Sequence, residues 1–508
     1  MIAQGVLGFQ YEGEERAGGM TALAGLPVYL DLFAAMGLSR SIGRHVRVRP
    51  TQGWTDAQVV SALVLLNLAG GDCVDDLAIL EADDGFAVVL RRVALRGLRG
   101  PERKALARRW RKQRKRAVPS PSAAFRYLEA FHDEGEEQRR ERGKAFVPSA
   151  GEHLLGLRRV NAEAVAFMQS HAPKRVATLD IDATLVETHK SKALYCYKKF
   201  KAYQPQNVYW AEQGLVVHSE FRDGNVPAEY RQLPLLQEAL ASLPPGVRKV
   251  YLREDSAGYQ QELLKFCAEG KSGRFGVIEF AVAAEVTAAF KAAVAELAEK
   301  DWHPLPRDVN GERLDTGQQW AEVCYVPNWV GHSKNGPAYR FLAIREPLAQ
   351  LELPGVEEQA CLPFPTMDFG DKQRYKLFGL VTNRDLPGEE LIRWHRERCG
   401  KAEEAHAVMK EDLAGGQLPS WNFGANAAWW AIMILSFNLH SAMKRLVLGG
   451  DWKTKRLKAI RFALIHLPGR VIHHARGLLI RLPGNHPSFD VLLDARRTIL
   501  ALAQAPPA

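Results

Sequence analysis

The chain has 508 residues, 46% of them hydrophobic and 25% charged, the composition of an ordinary globular protein with room for two or three domains. Lys and Arg number 68 against 58 Asp and Glu, a formal net charge of +10, which favours a polyanionic partner and puts nucleic acid first among candidates. Six cysteines stand singly, with no CxxC pair and no histidine at finger spacing, which excludes a disulfide framework and a zinc ribbon and fits a reducing, intracellular setting.

Residues 1–18 mix apolar side chains with Glu12, Glu14 and Glu15 and lack the basic start and apolar run of an export signal. From 21 to 84 the spacing of Leu26, Tyr29, Leu30, Leu32 and Phe33, and later of Val59, Leu63, Leu66 and Leu68, predicts a small helical unit. A basic run follows over 91–116. It includes Arg108, Arg109, Arg111, Lys112 and Arg114, with Glu102 alone opposing, and must be solvated or neutralised by an anion. The stretch 118–128 reads as a turn, a serine cap and a helix beginning near Ser122, whose N-terminus could meet a phosphate or simply follow a solvated linker. Residues 134–142 are charged and suit a domain boundary.

From Lys174 the texture turns to β. Residues 175–186, two segments within 207–221, and 249–253 read as strands, with helices expected at 234–243 and 259–267, a pattern that suggests a mixed sheet with helices packed on it. After Arg274 short strands alternate with polar loops, the clearest at 319–326, 338–345 and 375–382. Helix is expected again at 388–413 and 426–448. The apolar stretch 425–439 is read as a buried helix rather than a membrane span, closed off below spanning length by Asn426, Asn438 and His440.

Three acidic features stand out. In Leu179-Asp180-Ile181-Asp182-Ala183-Thr184, strand alternation puts Asp180 and Asp182 on one face, where a strand suited to the interior needs a compensating positive charge such as a divalent metal, unless one or both acids lie at the strand end in solvent or cap the next turn. In Leu252-Arg253-Glu254-Asp255-Ser256-Ala257-Gly258-Tyr259, a β run ends on acids. Asp255 then stands where ligand-bearing groups of open α/β sheets gather, or else caps the next helix. Helical spacing places Arg396, Glu403 and Lys410 on one stripe, either a metal ligand with phosphate-binding neighbours or a solvated face. Two strand acids and one helix acid can hold two metal ions roughly 3.5–4 Å apart for in-line attack at phosphorus, and oxygen-only ligands favour Mg²⁺ or Mn²⁺.

With these motifs the chain resembles the DDE transposases of the insertion sequence 1380 family, within the insertion sequence 4-like superfamily. The likeness rests on the Asp180-to-Thr184 segment, on the Arg253-to-Tyr259 segment followed by Cys267, and on Arg398, Glu403 and Lys410, which look like the family's Tyr-Arg-Glu-Lys signature. The resemblance implies an α/β fold: an RNase H-like mixed sheet with flanking helices, a β-rich insertion and a helical N-terminal DNA-binding region. It implies domains at 1–150 (helical, basic, DNA-binding), 172–272 (first part of the catalytic domain), 273–386 (insertion), 387–450 (second part, with the third acid) and 451–508 (basic helical tail). Asp182, Asp255 and Glu403 become the metal-binding triad, and Arg396, Arg398, Lys410 and the basic run become DNA contacts, with His189, Tyr203 and Trp329 as further candidates.

The chain departs from the signature in three places. His395 stands for the tyrosine, Ala257 is an extra residue, and four residues separate Arg398 from Glu403. Asp180 and Glu404 therefore stay open as alternative first and third acids. The implied activity is Mg²⁺-dependent cleavage of element ends and transfer of 3′-hydroxyls into target DNA, by a homodimer on terminal inverted repeats in the bacterial cytoplasm, with no membrane role. An RNase H-like nuclease without joining, or a catalytically idle DNA-binding derivative, are the alternatives.

Overall fold

The computed structural model describes residues 18–48, 53–96, 98–104, 106, 116–141, 143–309, 311–327, 339–348, 364–369, 373–475 and 477–504. Arg108, Arg109, Arg111, Lys112, Arg114 and Trp329 lie outside them. The chain divides into two compact units: one takes Met1–Gln138, Ser149–His171 and Val408–Ala508, the other Arg139–Pro148 and Ala172–Ala407.

The first unit is mainly helical. Asp56–Ala69 opens with a capping box in which Thr55 and Gln58 satisfy each other's backbone amides, and it closes on Gly70 in the left-handed region. The helix expected near Ser122 starts earlier, at Pro121, because Ser120 accepts from the Ala123 amide and the fixed φ of Pro121 suits a first helical position. Within the tail 451–508 expected to be helical, Gly469–His474 and Gly477–Arg481 instead form a hairpin, joined at its edge by Met20–Thr21. Val471 is buried between the exposed Arg470 and the outer Ile472, the period-two pattern of a strand.

The apolar helix also exceeds its expected length. It runs over Phe423–Ala442 and on as a π-helical segment to Leu448, 26 residues in all, long and apolar enough to cross a membrane by length alone. Almost every residue of Phe423–Ala442 is buried within the unit, beside Asp56–Ala69 and Glu152–His171. The polar residues that were to close it off are paired instead: Asn426 bonds Ser420, Asn438 donates to Asn161 at 2.7 Å, and the Tyr29 hydroxyl and His440 Nδ1 share a hydrogen bond at 3.0 Å.

Burial holds His440 neutral, its pKa pushed down to about 3, with Lys444 and Arg461 adding to the effect. The unfolded chain binds this proton near 6.5 and the folded chain does not, so stability is lost as pH falls below 6.5 toward 3. The expected loss is about 1.4 kcal/mol per pH unit, or about 2 kcal/mol at pH 5. Urea unfolding at pH 7 and pH 5 should show this difference in wild type and a smaller one in His440→Phe; equal differences would contradict it.

The second unit carries the elements that matter for the site. In chain order they are β1 (Val176–Ala183), β2 (Val186–Glu187), β3 (Leu194–Tyr195), β4 (Lys201–Tyr203), β5 (Gln206–Trp210), β6 (Leu215–Glu220), α1 (Gln232–Ser242), β7 (Lys249–Glu254), α2 (Gln261–Ala268), β8 (Glu279–Ala284) and α3 (Ala288–Ala295). They continue with β9 (His303–Pro304), β10 (Arg307–Val309), β11 (Glu312–Leu314), β12 (Gln319–Val323), β13 (Arg340–Pro347), β14 (Thr366–Asp368), β15 (Arg374–Thr382), α4 (Gly388–Arg396) and α5 (Lys401–Ala407). A ten-stranded mixed sheet runs β9-β12-β13-β15-β8-β7-β1-β5-β6, with β14 also on β15. The contacts β1/β7 and β7/β8 are parallel and the remaining ones antiparallel.

Residues beyond Arg274 therefore extend this sheet, through β15 on β8, and include the helix α3, capped by Thr287, where only strands and loops were expected. Leu391 and Ile392 of α4 pack on Leu342, Ile344 and Leu380 of the sheet. Full burial of each such side chain stabilises by roughly 1.5–3 kcal/mol. The helix enters across the Trp320 ring at Gly388, where any Cβ would lie 2.1 Å from that ring.

Candidate active site

β1 and β7 run side by side with Asp180 opposite Arg253. Both side chains are buried, and Arg253 grips Asp180 in a fork, Nε to Oδ1 at 2.7 Å and Nη2 to Oδ2 at 2.9 Å. Its Nη1 donates to the Trp394 carbonyl at 2.6 Å and to Glu397 at 3.0 Å, tying both strands to the end of α4. Asp180 is thus occupied by a protein cation.

Asp182, two residues on, reaches the partly exposed end of β1. Asp255 follows β7 directly; its Oδ1 accepts from the Ala257 amide at 2.9 Å, so the extra alanine supplies the donor that fixes this carboxylate. Arg398 lies between the two acids, Nη2 at 3.9 Å from Asp182 and 4.0 Å from Asp255, and His406 Nδ1 is 3.9 Å from Asp182.

The single helix expected over 388–413 is broken. α4 ends at Arg396, Gly400 adopts φ 80°, and α5 begins at Lys401, while Val408–Asp412 winds as a π-helix. Arg396, Glu403 and Lys410 consequently do not share one helical stripe. Arg396 is half-buried and donates to Gln318 at 2.9 Å, away from the acids, and Lys410 lies in the π-helical segment. The break brings Arg398, buried in the turn, onto Asp182 and Asp255. Glu403 is exposed in the first turn of α5, accepting from the Gly400 amide, with Glu404 exposed beside it. Of the other candidates, Tyr203 is buried and stacked on Phe221 at 4.9 Å, which removes its ring from any nucleic acid, and His189 is exposed.

The acids influence one another. Burial pushes the Asp182 carboxyl up to about 6; Arg398 opposes the rise, and the charges of Asp255 and Glu403 add to it. Among the described residues no three potential ligands lie close enough to hold a metal ion as they stand. The donor chemistry nevertheless fits one: oxygen ligands only, with negative charge accumulated at Asp182 that a hard divalent cation would relieve.

Two residues were underrated in the sequence. Glu254 is fully buried at the end of β7, neither carboxyl oxygen has a hydrogen-bond partner, and the chain crosses it at Gly258, where a Cβ would lie 2.5 Å from Oε2. Burial holds its carboxyl well above the usual range, helped by Asp255 and Asp182, which favours the neutral acid. Glu254→Gln, an isostere of that acid, should leave the urea midpoint within about 1 kcal/mol of wild type, whereas Glu254→Ala should cost about 2 kcal/mol or more; equal losses would show an ionised carboxylate. His395 is the second. It donates from Nε2 to the Glu254 carbonyl at 2.9 Å and is kept neutral by burial, its pKa pushed down to about 4, so the residue in the signature tyrosine's place braces the strand end beside Asp255.

Fold and cluster together define a class: a mixed α/β protein with carboxylates at the carboxyl ends of adjacent parallel strands and a third at the start of a later helix. The chain belongs to the transposase DDE domain family, group 1, whose model matches residues 11–504. No curated protein matches it. Among solved structures, the cryo-EM structure of a piggyBac transposase synaptic complex with hairpin DNA is similar at a TM-score of 0.45 and 10% identity, over 88% of this chain and 82% of that one.

Proposed function

We propose that this DDE-family protein is a DNA transposase of the insertion sequence 1380 group that cuts the ends of its element and joins the 3′-hydroxyls to target DNA by a cut-and-paste route. The observation that carries the reading is the placement of Asp182 and Asp255 at the ends of neighbouring parallel strands, with Arg398 between them and Glu403 contributing to the same charge cluster. The strand order β6-β5-β1-β7-β8, with two antiparallel contacts and then two parallel ones, supports an RNase H-like catalytic core.

Asp182, Asp255 and Glu403 would hold two Mg²⁺ or Mn²⁺ ions, Glu403 releasing the Gly400 amide to do so. Such ions, when bound, would supply activation of the attacking hydroxyl and charge relief for the leaving oxygen. Arg398, within 4.0 Å of both strand acids yet hydrogen-bonded to neither, is positioned to neutralise a phosphate entering the cluster. Asp180 and Arg253 set the register of β1 on β7 and so the spacing of Asp182 and Asp255. The excess of basic residues supports duplex DNA as substrate, with residues 1–150, including the basic run, and 451–508 proposed to bind terminal inverted repeats as a homodimer in the bacterial cytoplasm.

The test is an end-labelled DNA fragment carrying the inverted repeats that flank the coding region, incubated with protein, Mg²⁺ and a plasmid target. Labelled ends joined to the plasmid are expected. Cleavage without joining would identify a nuclease, and binding without either product an inactive DNA-binding protein.

A further inference from the structure

The small sheet β2-β4-β3 grows out of the end of the large sheet that bears Asp182: β2 follows β1 after two residues, and β4 leads into β5, where Asn207 pairs with Asp182. Its tip is the hairpin 194–202, which pairs Leu194 with Ala202 and Tyr195 with Lys201 and closes through Cys196 and Phe200. Ala193, Cys196 and Ala202 are buried beneath it. Two large rings are exposed instead: Tyr195, at the end of β3, is 64% exposed, and Tyr197, in the turn that follows, is 73% exposed.

Nothing in the fold requires two large rings in water. Each carries a lysine instead, Lys201 lying 6.0 Å from the Tyr195 centroid and Lys198 5.7 Å from that of Tyr197. Residues 188–202 contain five lysines and no acid. At the tip Lys199 sits at φ 66°, a conformation in which glycine costs less, so the turn carries a cation at a conformational cost.

We infer that this hairpin is a binding element for single-stranded DNA, Tyr195 and Tyr197 stacking on unpaired bases while the neighbouring lysines meet the phosphates. Exposed rings at a hairpin tip, interleaved with cations, suit a strand whose bases are unstacked; a duplex hides its base faces and would use the lysines alone. The inference rests on the proposed function only for the source of such a strand, which DNA opened beside a cut end would supply.

The experiment uses the full chain, EDTA to prevent cleavage, and a fluorescent dT20 probe followed by anisotropy, with a 20-base-pair duplex in parallel. The double variant Tyr195→Ser/Tyr197→Ser, altering only exposed side chains, should bind dT20 at least tenfold more weakly with duplex affinity unchanged, and Tyr195→Phe/Tyr197→Phe should restore it. Lys198→Gln/Lys199→Gln should weaken both probes and flatten their salt dependence. Wild-type affinity of the serine variant for dT20, equal losses on both probes, or failure of phenylalanine to rescue would each overturn the inference. A tyrosine-dependent dT20 signal from a protein that never cuts its flanking repeats would overturn the proposed function and leave this one standing; normal cutting with no such signal would do the reverse.

Discussion

Replacing Asp182 by asparagine should leave the protein folded, still bound to its DNA ends, and unable to cut them. The carboxylate sits at the partly exposed end of β1 with Asp255 and Glu403 adding to its charge burden, opposed chiefly by Arg398 at 3.9 Å. Asparagine keeps the shape and removes one negative charge from a repulsive cluster, so the unfolding midpoint should hold or rise slightly. The same substitution withdraws a ligand from a site whose cations would stabilise the transition state by several kcal/mol, a loss of roughly three orders of magnitude or more in cleavage rate. Asp255→Asn and Glu403→Gln should behave alike. Isothermal titration with Mn²⁺, gel shift with labelled ends and a cleavage time course separate the three properties. Undiminished cleavage by any of these variants would remove that residue from the site, and for Glu403 would direct attention to Glu404.

Asp180→Asn should do the opposite damage. Its carboxylate is buried in a two-bond fork with Arg253, and that guanidinium also holds the Trp394 carbonyl and Glu397, so the substitution leaves a buried cation without its main counter-charge. Breaking one side of a buried ion pair costs about 3–5 kcal/mol, which chemical denaturation would register as a large fall in midpoint. The loss belongs to the pair, so Asp180→Asn combined with Arg253→Met should recover part of it, and the departure from additivity measures the coupling. A mild Asp180→Asn with abolished metal binding would instead make Asp180 the ligand. Acids two residues apart on one strand face are thereby expected to fail in different ways, one in chemistry and one in folding.

Much of the local structure was legible in the sequence because its signals are short-range. The strand ends that carry Asp182 and Asp255, the serine-proline entry of the helix at Pro121 and the apolar helix at Phe423 all follow from alternation, capping chemistry and apolar density. Where local signals erred, a single residue often explains it. Gly400 divides what periodicity alone reads as one helix, so Arg396 turns to Gln318 while Arg398 turns to the acids. β8 is short and mostly apolar, and its place between β7 and β15 is set by pairing with both of them.

The sequence by itself determined that Asp180 and Asp182 share a strand face, that Asp255 ends another strand and that Glu403 lies on a later helix, since each depends on the period of one element. Only the tertiary structure decided that Asp180 is spent on Arg253, that Glu254 is sealed under Gly258 and that Arg398 joins the two strand acids. The first and last depend on the register between β1 and β7 and on where the chain turns after α4, and contacts across 73 to 216 residues leave no periodic trace in the chain itself; the second depends on the tight turn after β7 that lays Gly258 on Glu254.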